Sequence, residues 1–433
     1  MTQPLRTLLV TLGSHGDVRP LLAIGAEIAR RGSDAAIVTN PHFEPEAERA
    51  GVGFIPFGPR ESVRAWVSRR PATMDGMRGP LTVLREIIAP RTASLVASVR
   101  AAIDTFSPDV VVAHQACIGT RWACHQVGVP YIDVALSPCA WMNPKDTLSL
   151  TPWRGTSPTP RAVRFDVWVG RRLTGWLSDD AFNRTRRSLG LPPVRQVWFD
   201  ELGASCPHLG LWSPLIRPVL DGDPPGAMVT GFARLQTERD GRLPERLHRF
   251  LDEGPPPAVI TLGTAVSHAQ PSFHASVAGA LAETGLRVVL VTGDDDYVPA
   301  NLPPSMLATG EAPFGRLFPR ASLVVHHGGI GTCAEAMVAG TPALVLPAAH
   351  DQFDNAARCV RLGVAKVLPL ARASGRRLRR AILEAAGDAA MRTRAGEVSR
   401  GLRGESGAGA AVDAIESCVG GALTRERRPA CRC

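Results

Sequence analysis

"LVVHHGGIGTCAEAMVAGTPALVLP", residues 323–347, is the stretch that decides the fold of this chain. An apolar run ends in two histidines and two glycines, a helix-like segment follows and stops at Gly340, and a second apolar run then begins. A buried strand, a tight turn, a helix and a further strand are typical of a βαβ unit, whose crossover leaves the two strands parallel. The stretch therefore predicts a parallel α/β sheet, with Gly328 and Gly329 in the turn and Thr332 as the helix N-cap.

The start of this predicted helix also suits an anionic ligand. Unpaired backbone N–H groups and the helix dipole attract phosphate, and His327 beside them can donate a further hydrogen bond. The next predicted strand leads into "PAAHDQFDNAARC" (347–359), where the carboxylate of Asp351 and the amide of Gln352 can hold sugar hydroxyls. Glu335, one helical turn in, could take a ribose diol. The residues alone leave a second interpretation open, namely an ordinary glycine turn with core histidines followed by a solvated loop.

Strand and helix signals alternate along the rest of the chain. The apolar runs lie at 7–12, 35–39, 52–57, 109–113, 130–136, 257–263, 287–293, 322–327 and 342–347. The alternation predicts two doubly wound domains with a cleft between them, since such sheets bind ligands beyond the carboxyl ends of their strands. Residues 140–215, rich in Pro, Trp and Arg, are expected to form loops and short helices. The predicted boundaries are 1–215 and 231–405 for the domains, 216–230 for a linker, and 406–433 for a C-terminal helix and basic tail.

Composition excludes several classes of protein. The chain has 433 residues, of which 45% are hydrophobic and 21% charged, as in a globular protein. Its nine cysteines have no zinc or disulfide spacing, which favours a cytoplasmic location. No apolar run reaches the roughly 18 residues of a membrane span. Net charge is +9, but the arginines are scattered apart from a cluster at 376–380, which argues against nucleic acid. Weak attraction to an anionic membrane surface stays open, and oligomeric state is not indicated.

The tryptophans are distributed unevenly. All eight lie between Trp66 and Trp212, in the first half of the chain. Aromatic faces suit an apolar or ring-shaped ligand, so the first half is predicted to bind an apolar acceptor, with Trp141 and Trp153 as candidate contacts. The alternative is that the tryptophans only fill the core and the domain interface.

Residues 312–357, with "HHGGIGT" and "HDQFDNA" at this spacing, resemble the donor-binding signature of family-1 glycosyltransferases. The bacterial branch is the most similar, including antibiotic glycosyltransferases, sterol-type glucosyltransferases and the rhamnosyltransferase of rhamnolipid synthesis. The resemblance implies the GT-B fold, in which two Rossmann-like domains face a central cleft. The N-terminal domain would bind the acceptor and the C-terminal domain the nucleotide sugar.

The resemblance also implies roles for individual residues of the second half. His327 would contact the donor diphosphate, Glu335 the ribose, and Asp351 and Gln352 the sugar. Plant members carry a tryptophan motif in the segment that ends at Phe314 in this chain. Phe314 is therefore expected to hold the base of the nucleotide, and whether that base is uracil or thymine stays open. The remaining expected donor contacts are Gly263, Thr264, Gly329, Gly331 and Thr332.

In the first half, "GSHGDVRP" (13–20) matches the family's turn that holds the catalytic base, which would be Asp17. Transfer to a hydroxyl with inversion needs one base for the acceptor proton. His114, which follows the run at 109–113, lies where plant members place the aspartate of their dyad, so an Asp17–His114 pair with either member as base is expected. His15 is a further candidate. The alternative for Asp17 is a helix cap near Val18.

These features together predict an inverting, metal-independent glycosyltransferase. It would move a hexose or deoxyhexose from a UDP- or TDP-sugar to a hydroxyl of an apolar small molecule such as a natural product, sterol or lipid. No metal-binding motif and no cofactor motif is evident in the sequence. A nucleotide-sugar epimerase and an inactive sugar-nucleotide-binding partner protein are the alternatives.

Overall fold

The computed structural model of the chain describes residues 4–76, 78–151, 155–200, 207–235 and 241–426, with the side chains of 200 and 421–426 left aside. Within these residues, two parallel sheets form two α/β units. The strands are β1 (Arg6–Val10), β2 (Asp34–Thr39), β3 (Gly53–Pro56), β4 (Val110–His114), β5 (Tyr131–Ala135), β6 (His208–Gly210), β7 (Ala227–Val229), β8 (Ala258–Thr261), β9 (Val288–Val291), β10 (Met306–Thr309), β11 (Leu323–His326), β12 (Ala343–Val345) and β13 (Ala365–Val367).

The helices alternate with these strands, as the sequence pattern predicts. They are α1 (His15–Arg30), α2 (Glu44–Arg49), α3 (Val63–Arg69), α4 (Gly79–Thr82), α5 (Ala89–Phe106), α6 (Gly119–Val127), α7 (Pro160–Ser188), α8 (Val197–Asp200), α9 (Glu245–Asp252), α10 (Gly263–Ala269), α11 (Phe273–Leu281), α12 (Phe314–Leu317), α13 (Ile330–Ala339), α14 (Gln352–Arg361), α15 (Gly375–Ala386), α16 (Ala389–Gly401) and α17 (Gly407–Glu426). A π-helical segment, Val83–Ile88, connects α4 to α5. Short 3₁₀ turns lie at Pro41–Phe43, Pro71–Met74, Pro138–Trp141, Asp295–Tyr297, Phe318–Arg320 and Leu370–Arg372.

The first sheet has the strand order β3-β2-β1-β4-β5-β6-β7. The order reverses direction between β1 and β4, which pair in parallel with Val10 opposite Ala113. Such a switch point opens a crevice at the carboxyl ends of the two strands. The turn after β1 and His114 at the end of β4 therefore lie beside each other at that crevice.

The second sheet has the order β10-β9-β8-β11-β12-β13. Its switch point lies between β8 and β11, where Thr261 is opposite His326. Gly263 and His327, which follow these two strands, therefore meet at the crevice of the second unit. All four residues of β11 are buried, because the sheet is covered on both faces.

Two expectations from the sequence are wrong. Residues 140–215 were expected to hold only loops and short helices, but besides the short α8 they contain the long helix α7 of 29 residues. Its start is favoured by Pro160 and by Thr159, whose hydroxyl accepts from the Ala162 N–H at 3.3 Å. Residues 216–230, predicted as a linker, include β7, so the first sheet continues to Val229.

The C-terminal helix α17 returns to the first unit. Its buried face, which includes Val412, Ile415 and Val419, packs into the core formed by α1 and the first sheet. At its outer side, Arg31, the C-cap residue of α1, pairs with Asp413 at 2.7 Å. The first unit therefore needs both ends of the chain to complete its core.

A buried ion-pair network joins the two units. Asp146, which follows β5, accepts from Arg217 at 3.0 Å and from Arg358 on α14 at 2.8 Å. Arg358 also donates to Asp354 at 2.6 Å, and the other oxygen of Asp354 accepts from the Ser149 N–H at 2.9 Å. Burial alone would raise the pKa of Asp146, but the two guanidinium groups outweigh it and lower that pKa. Through this network, Arg358 and Asp354 of the second unit are held against the first unit.

Within the part of the chain that the structure describes, no helix has the length and apolar character that a bilayer crossing requires.

Candidate functional site

The helix start at the second crevice is open, as an anion site requires. Helix α13 begins at Ile330 with Gly329 as its N-cap, and among the described residues no side chain caps it. The N-cap is therefore Gly329, and the prediction of Thr332 was wrong, although Thr332 remains in the first turn. Gly331 in the same turn is exposed. The first N–H groups of α13 are left to bind a ligand.

His327 is held beside this helix start by two glycines. A Cβ atom on Gly263 would lie 2.5 Å from its Cε1, and a Cβ on Gly329 would lie 2.5 Å from its Nε2. Both approaches exclude any larger residue, because real Cβ contacts are longer. Its Nδ1 is buried and has no hydrogen-bond partner within the described ranges. Burial lowers the pKa of His327 to about 4, so the ring is neutral at pH 7 and has one N–H to donate.

The neighbouring His326 is a core residue. Its side chain is fully buried, and its Nδ1 accepts from the Gly328 N–H at 3.2 Å. Burial, together with His327, lowers the pKa of His326 to about 3. Gly328 has φ = +94°, a conformation that favours glycine, so His326 stabilises the turn that carries the chain to α13.

The loop after β12 presents Asp351 and Gln352 to the same crevice. Gln352 Oε1 accepts from the backbone N–H groups of Ala348 and Ala349 at 2.9 and 3.1 Å, and among the described residues its amide nitrogen has no hydrogen-bond acceptor, so it can donate to a ligand. Asp351 accepts from Asn355 at 2.8 Å. Burial raises the pKa of Asp351, and the hydrogen bonds from Asn355 and Ser137 offset this only in part.

His350 lies between the two units and was not predicted. Its backbone has φ = +56°, the left-handed region that non-glycine residues seldom adopt. Its ring donates to the carbonyl of Thr73 in the first unit, and burial lowers its pKa. The residue stands inside the quoted motif, immediately before Asp351, so its position was readable but its partner in the other unit was not.

Glu335 is already paired. Arg234 donates to it through Nε at 2.6 Å and through Nη2 at 2.7 Å, one bond to each carboxylate oxygen. Such a bidentate pair leaves Glu335 only its remaining lone pairs for a ribose diol. Arg234 was missed from the sequence, where it stands in an unremarkable segment after β7. The ribose role of Glu335 stays a prediction.

The other expected donor contacts lie around the same crevice. Thr264 follows Gly263 in the first turn of α10, which begins directly after β8. Phe314 begins α12 and stacks on Phe318 with ring centroids 4.5 Å apart and planes 14° apart. Phe314 is half-buried, so part of its ring remains available for a base.

At the first crevice, Asp17 belongs to a capping box. Helix α1 begins at His15 with Ser14 as its N-cap, so the helix start near Val18 was wrong. Asp17 Oδ2 accepts from the Ser14 N–H at 2.7 Å and from the Ser14 hydroxyl at 3.0 Å. Gly13, at φ = +137°, makes room, since a Cβ there would lie 2.2 Å from Asp17 Oδ2. Asp17 thus has a capping role, and its Oδ1 has no hydrogen-bond partner among the described residues.

His114 is the second ionisable group at this crevice. Its ring is buried, and its Nδ1 has no hydrogen-bond partner among the residues described. Burial lowers the pKa of His114, although the nearby carboxylates of Asp17 and Asp133 act in the opposite direction. The structure therefore brings Asp17 and His114 into electrostatic contact.

His15 is turned away from this pair. Its Nε2 lies 3.2 Å from Glu46 Oε1 on α2, and its ring packs edge-on against Phe43. Burial alone would raise the pKa of Glu46, but hydrogen bonds from His15 and Arg19 lower it to about 2. His15 therefore has a carboxylate partner of its own.

The two crevices face each other. Asp17 acts electrostatically on both Asp351 and His350, and Ser137 of the first unit bonds to Asp351. One face of this cleft thus carries the predicted base and the other the predicted donor contacts. Ser137, which follows β5, was missed from the sequence.

The structure describes one of the two candidate acceptor contacts, Trp141, and not the other, Trp153. Trp141 is 2% exposed, with its ring 4.6 Å from that of Trp212 and with Arg217 over its face. This packing leaves it little surface for an acceptor. Trp153 lies outside the described residues.

Comparison with known proteins supports the architecture and the family. The family described as erythromycin biosynthesis protein CIII-like, C-terminal domain, matches residues 277–408 of this chain. The chain is 30% identical to the vancomycin aglycone glucosyltransferase of Amycolatopsis orientalis, over 83% of this chain and 85% of that protein. It is 29% identical to the O-mycaminosyltylonolide 6-deoxyallosyltransferase of Streptomyces fradiae, over 95% and 97%.

The fold itself matches solved glycosyltransferases. The glycosyltransferase VinC, solved in complex with dTDP, superimposes with a TM-score of 0.68 at 18% identity, covering 96% of this chain and 99% of VinC. At this identity the likeness concerns the fold alone. The predicted two-domain GT-B architecture is confirmed.

Proposed function

Because this chain belongs to the family of antibiotic and sterol-type GT-B glycosyltransferases, we propose that it is an inverting enzyme that works without a metal ion. It moves a hexose or deoxyhexose from a UDP- or TDP-sugar to a hydroxyl of an apolar natural product, sterol or lipid. The relatives named for vancomycin aglycone and for O-mycaminosyltylonolide act on natural-product acceptors. The observation that carries the proposal is the uncapped start of α13 beside His327.

The donor diphosphate binds at that helix start. As the sugar leaves, negative charge grows on the diphosphate, and preorganised donors stabilise it in the transition state. The free N–H groups of α13 and the single N–H of neutral His327 supply such donors. This arrangement does the work that a metal ion does in other transferases, which is why we propose metal independence.

The sugar lies between the diphosphate and the first unit. The amide nitrogen of Gln352 and the carboxyl of Asp351 receive its hydroxyls. Burial raises the pKa of Asp351 and so disfavours its carboxylate form. A hydrogen bond donated by a sugar hydroxyl would favour the carboxylate, and the charge would in turn strengthen that hydrogen bond.

The acceptor hydroxyl loses its proton to Asp17 on the opposite face of the cleft. An aspartate is a weak base, so transfer occurs late, when the acceptor oxygen has become acidic. Neutral His114, in electrostatic contact with Asp17, either steadies the charge of Asp17 or takes the proton itself. Attack from this side, opposite the departing diphosphate, inverts the anomeric centre.

The test uses purified chain with UDP-glucose, UDP-rhamnose, dTDP-glucose and dTDP-rhamnose, each with and without EDTA. We expect release of UDP or dTDP from at least one donor, at a rate that EDTA leaves unchanged. His327→Ala should reduce release by more than about 10²-fold, the size of an electrostatic transition-state contact. His248→Ala is the matched control, because His248 is exposed on α9 and pairs with Asp252, and its rate should stay at that of the wild type.

Four results would contradict the proposal. His327→Ala activity within about threefold of wild type, under ~0.7 kcal/mol of barrier, would remove the diphosphate role. Loss in EDTA that Mg²⁺ restores would require a metal. Interconversion of the donor sugar without nucleotide release would indicate an epimerase. Donor binding with no release would indicate an inactive partner protein.

A further inference from the structure

Helix α7 carries an exposed face of unusual composition. Phe165 and Trp168 are each 56% exposed, and Trp176 is 81% exposed. Among the described residues, these are the large aromatic side chains that exceed one-third exposure, and all three lie on this one helix. A soluble protein seldom leaves three such rings in water, and a cluster of them marks an interaction surface.

Arginines alternate with these rings on the same face. At 100° per residue, Arg161, Arg164 and Arg172 fall within the same third of the helix circumference as the three aromatic residues. All three arginines are exposed, and within the described ranges no carboxylate pairs with them. Asp179 projects from the same side farther along the helix, but its carboxylate accepts from the backbone N–H groups of Gln196 and Val197. The face is therefore apolar and positively charged.

The shape of this face suits a flat partner. From Arg161 to Trp176 it runs about 22 Å along a convex helix surface. The guanidinium of Arg172 lies over the Trp168 ring, 5.3 Å from its centroid, so charge and ring stand at one level. Trp, Phe and Arg in this mixture are typical of helices that lie in a bilayer interface, with rings among the acyl chains and cations at the phosphates.

The face also adjoins the cleft. Helix α7 begins directly after the loop in which Ser149 donates to Asp354 of the second unit. Arg361 of the second unit donates to the carbonyl of Thr156, three residues before the helix N-cap. Phe165 and Trp168 follow within about 12 Å of helix length.

We propose that α7 docks the enzyme on an anionic lipid surface through Arg161, Arg164, Phe165, Trp168, Arg172 and Trp176. A second copy of the chain fits less well, because a symmetric contact would place three arginines against three. Docking would place the opening of the cleft at the lipid surface, where apolar acceptors accumulate. That advantage rests on the proposed function, but the docking itself does not.

The test measures flotation of the full chain with vesicles, without donor or acceptor. We expect binding to phosphatidylcholine vesicles containing about 30 mol % phosphatidylglycerol, little binding to phosphatidylcholine alone, and loss of binding as salt is raised. A variant with Arg161→Gln, Arg164→Gln and Arg172→Gln should bind on the order of 10²-fold more weakly, since each arginine contributes about fivefold near an anionic surface. A variant with Phe165→Ser, Trp168→Ser and Trp176→Ser should lose at least ~10-fold.

The matched control removes the same charge elsewhere. Arg376, Arg377 and Arg379 are exposed on α15, and a variant with all three changed to Gln should bind within about twofold of wild type. An equal loss in this control would reduce the effect to net charge and overturn the proposal. The proposal would also be overturned if the chain did not bind the anionic vesicles. A dimer of the wild-type chain that becomes monomeric in the aromatic variant would overturn it too, and so would a single-stranded oligonucleotide that displaces the chain from the vesicles. Donor-dependent nucleotide release measured in all variants tests the proposed function separately.

Discussion

The glycines around His327 show how single residues shape the site. Gly263 and Gly329 each leave room where a Cβ would strike the ring, and Gly13 does the same for Asp17. In both crevices a glycine lets a candidate functional side chain lie against backbone. Substitution by alanine at any of the three would therefore move the functional group and not only the turn.

One substitution can separate the capping role of Asp17 from its proposed role as the base. Asp17→Asn keeps an oxygen that can accept from Ser14, so the helix start should survive, while the proposed base is lost. We expect transfer to fall by about 10²–10⁴-fold with donor affinity near wild type, measured by product formation and by donor titration.

Ser14→Ala is the control for Asp17. It removes the hydroxyl that bonds to Asp17 and should cost about 0.5–2 kcal/mol of stability with only a modest loss of rate. If Asp17→Asn instead transfers at the wild-type rate, Asp17 is a cap alone. If His114→Ala is then inactive, His114 is the base.

His326 makes stability depend on pH. Its pKa is about 3 in the folded chain, against an unfolded value near 6.5, so the unfolded state binds the proton first. Its contribution to stability is present above about pH 6.5 and is lost as pH falls. The loss amounts to about 2 kcal/mol at pH 5.

The substitution that tests this is His326→Asn, which retains an acceptor for the Gly328 N–H but does not titrate. We expect its thermal midpoint to match that of the wild type at pH 7 or lie slightly below it, and to fall less between pH 7 and pH 5. A parallel decline in the two proteins, followed by circular dichroism, would show that His326 does not carry the pH dependence.

At the scale of elements, apolar runs predicted most of the described strands but missed β6, β7, β10 and β13. Of these, β6, β7 and β13 have three residues each, which is short for a pattern to show, although β12 is equally short and was predicted from the longer apolar run around it. Helix α7 was missed for another reason. Its exposed Phe165, Trp168 and Trp176 lie on the solvent side, which obscures the polar face that an amphipathic helix is expected to show.

The candidate site residues also divide into those that a sequence pattern shows and those that it does not. His327, Asp351 and Gln352 stand in one continuous motif, so their shared crevice was predictable from strand ends. Arg234 and Ser137 come from distant segments, and their contacts with Glu335 and Asp351 depend on how the chain folds back. A sequence pattern carries no signal for such pairs.

Helix α17 supplies a prediction at this scale. Ile415 is fully buried in the core of the first unit, so Ile415→Ala should destabilise that unit by about 2–5 kcal/mol. All eight tryptophans lie in the first half of the chain, so tryptophan fluorescence during urea unfolding reports on that unit.

The control for Ile415 is Leu383→Ala on α15, because Leu383 is 40% exposed. It should shift the tryptophan-reported midpoint by under about 0.5 kcal/mol. An unchanged midpoint for Ile415→Ala would mean that α17 does not stabilise the first unit.

At the scale of the whole molecule, polar contacts tie the two units together on several sides of the cleft. Arg64 of α3 pairs with Asp294 at 3.1 Å, His350 donates to Thr73, and Asp146 bonds to buried Arg358. Removing one partner of a buried pair leaves an uncompensated charge and is strongly destabilising. Opening of the cleft should therefore spare the Asp146–Arg358 contact and separate the more exposed Arg64 pair first.

The return of α17 to the first unit limits how relatives of this chain can be recombined. A hybrid joined near residue 230 would combine one parent's acceptor-side sheet with the other parent's C-terminal helix, although the two share a core. Modular exchange of acceptor preference therefore needs two crossover points, one after β7 and one before Gly407, so that the helix travels with the half it completes.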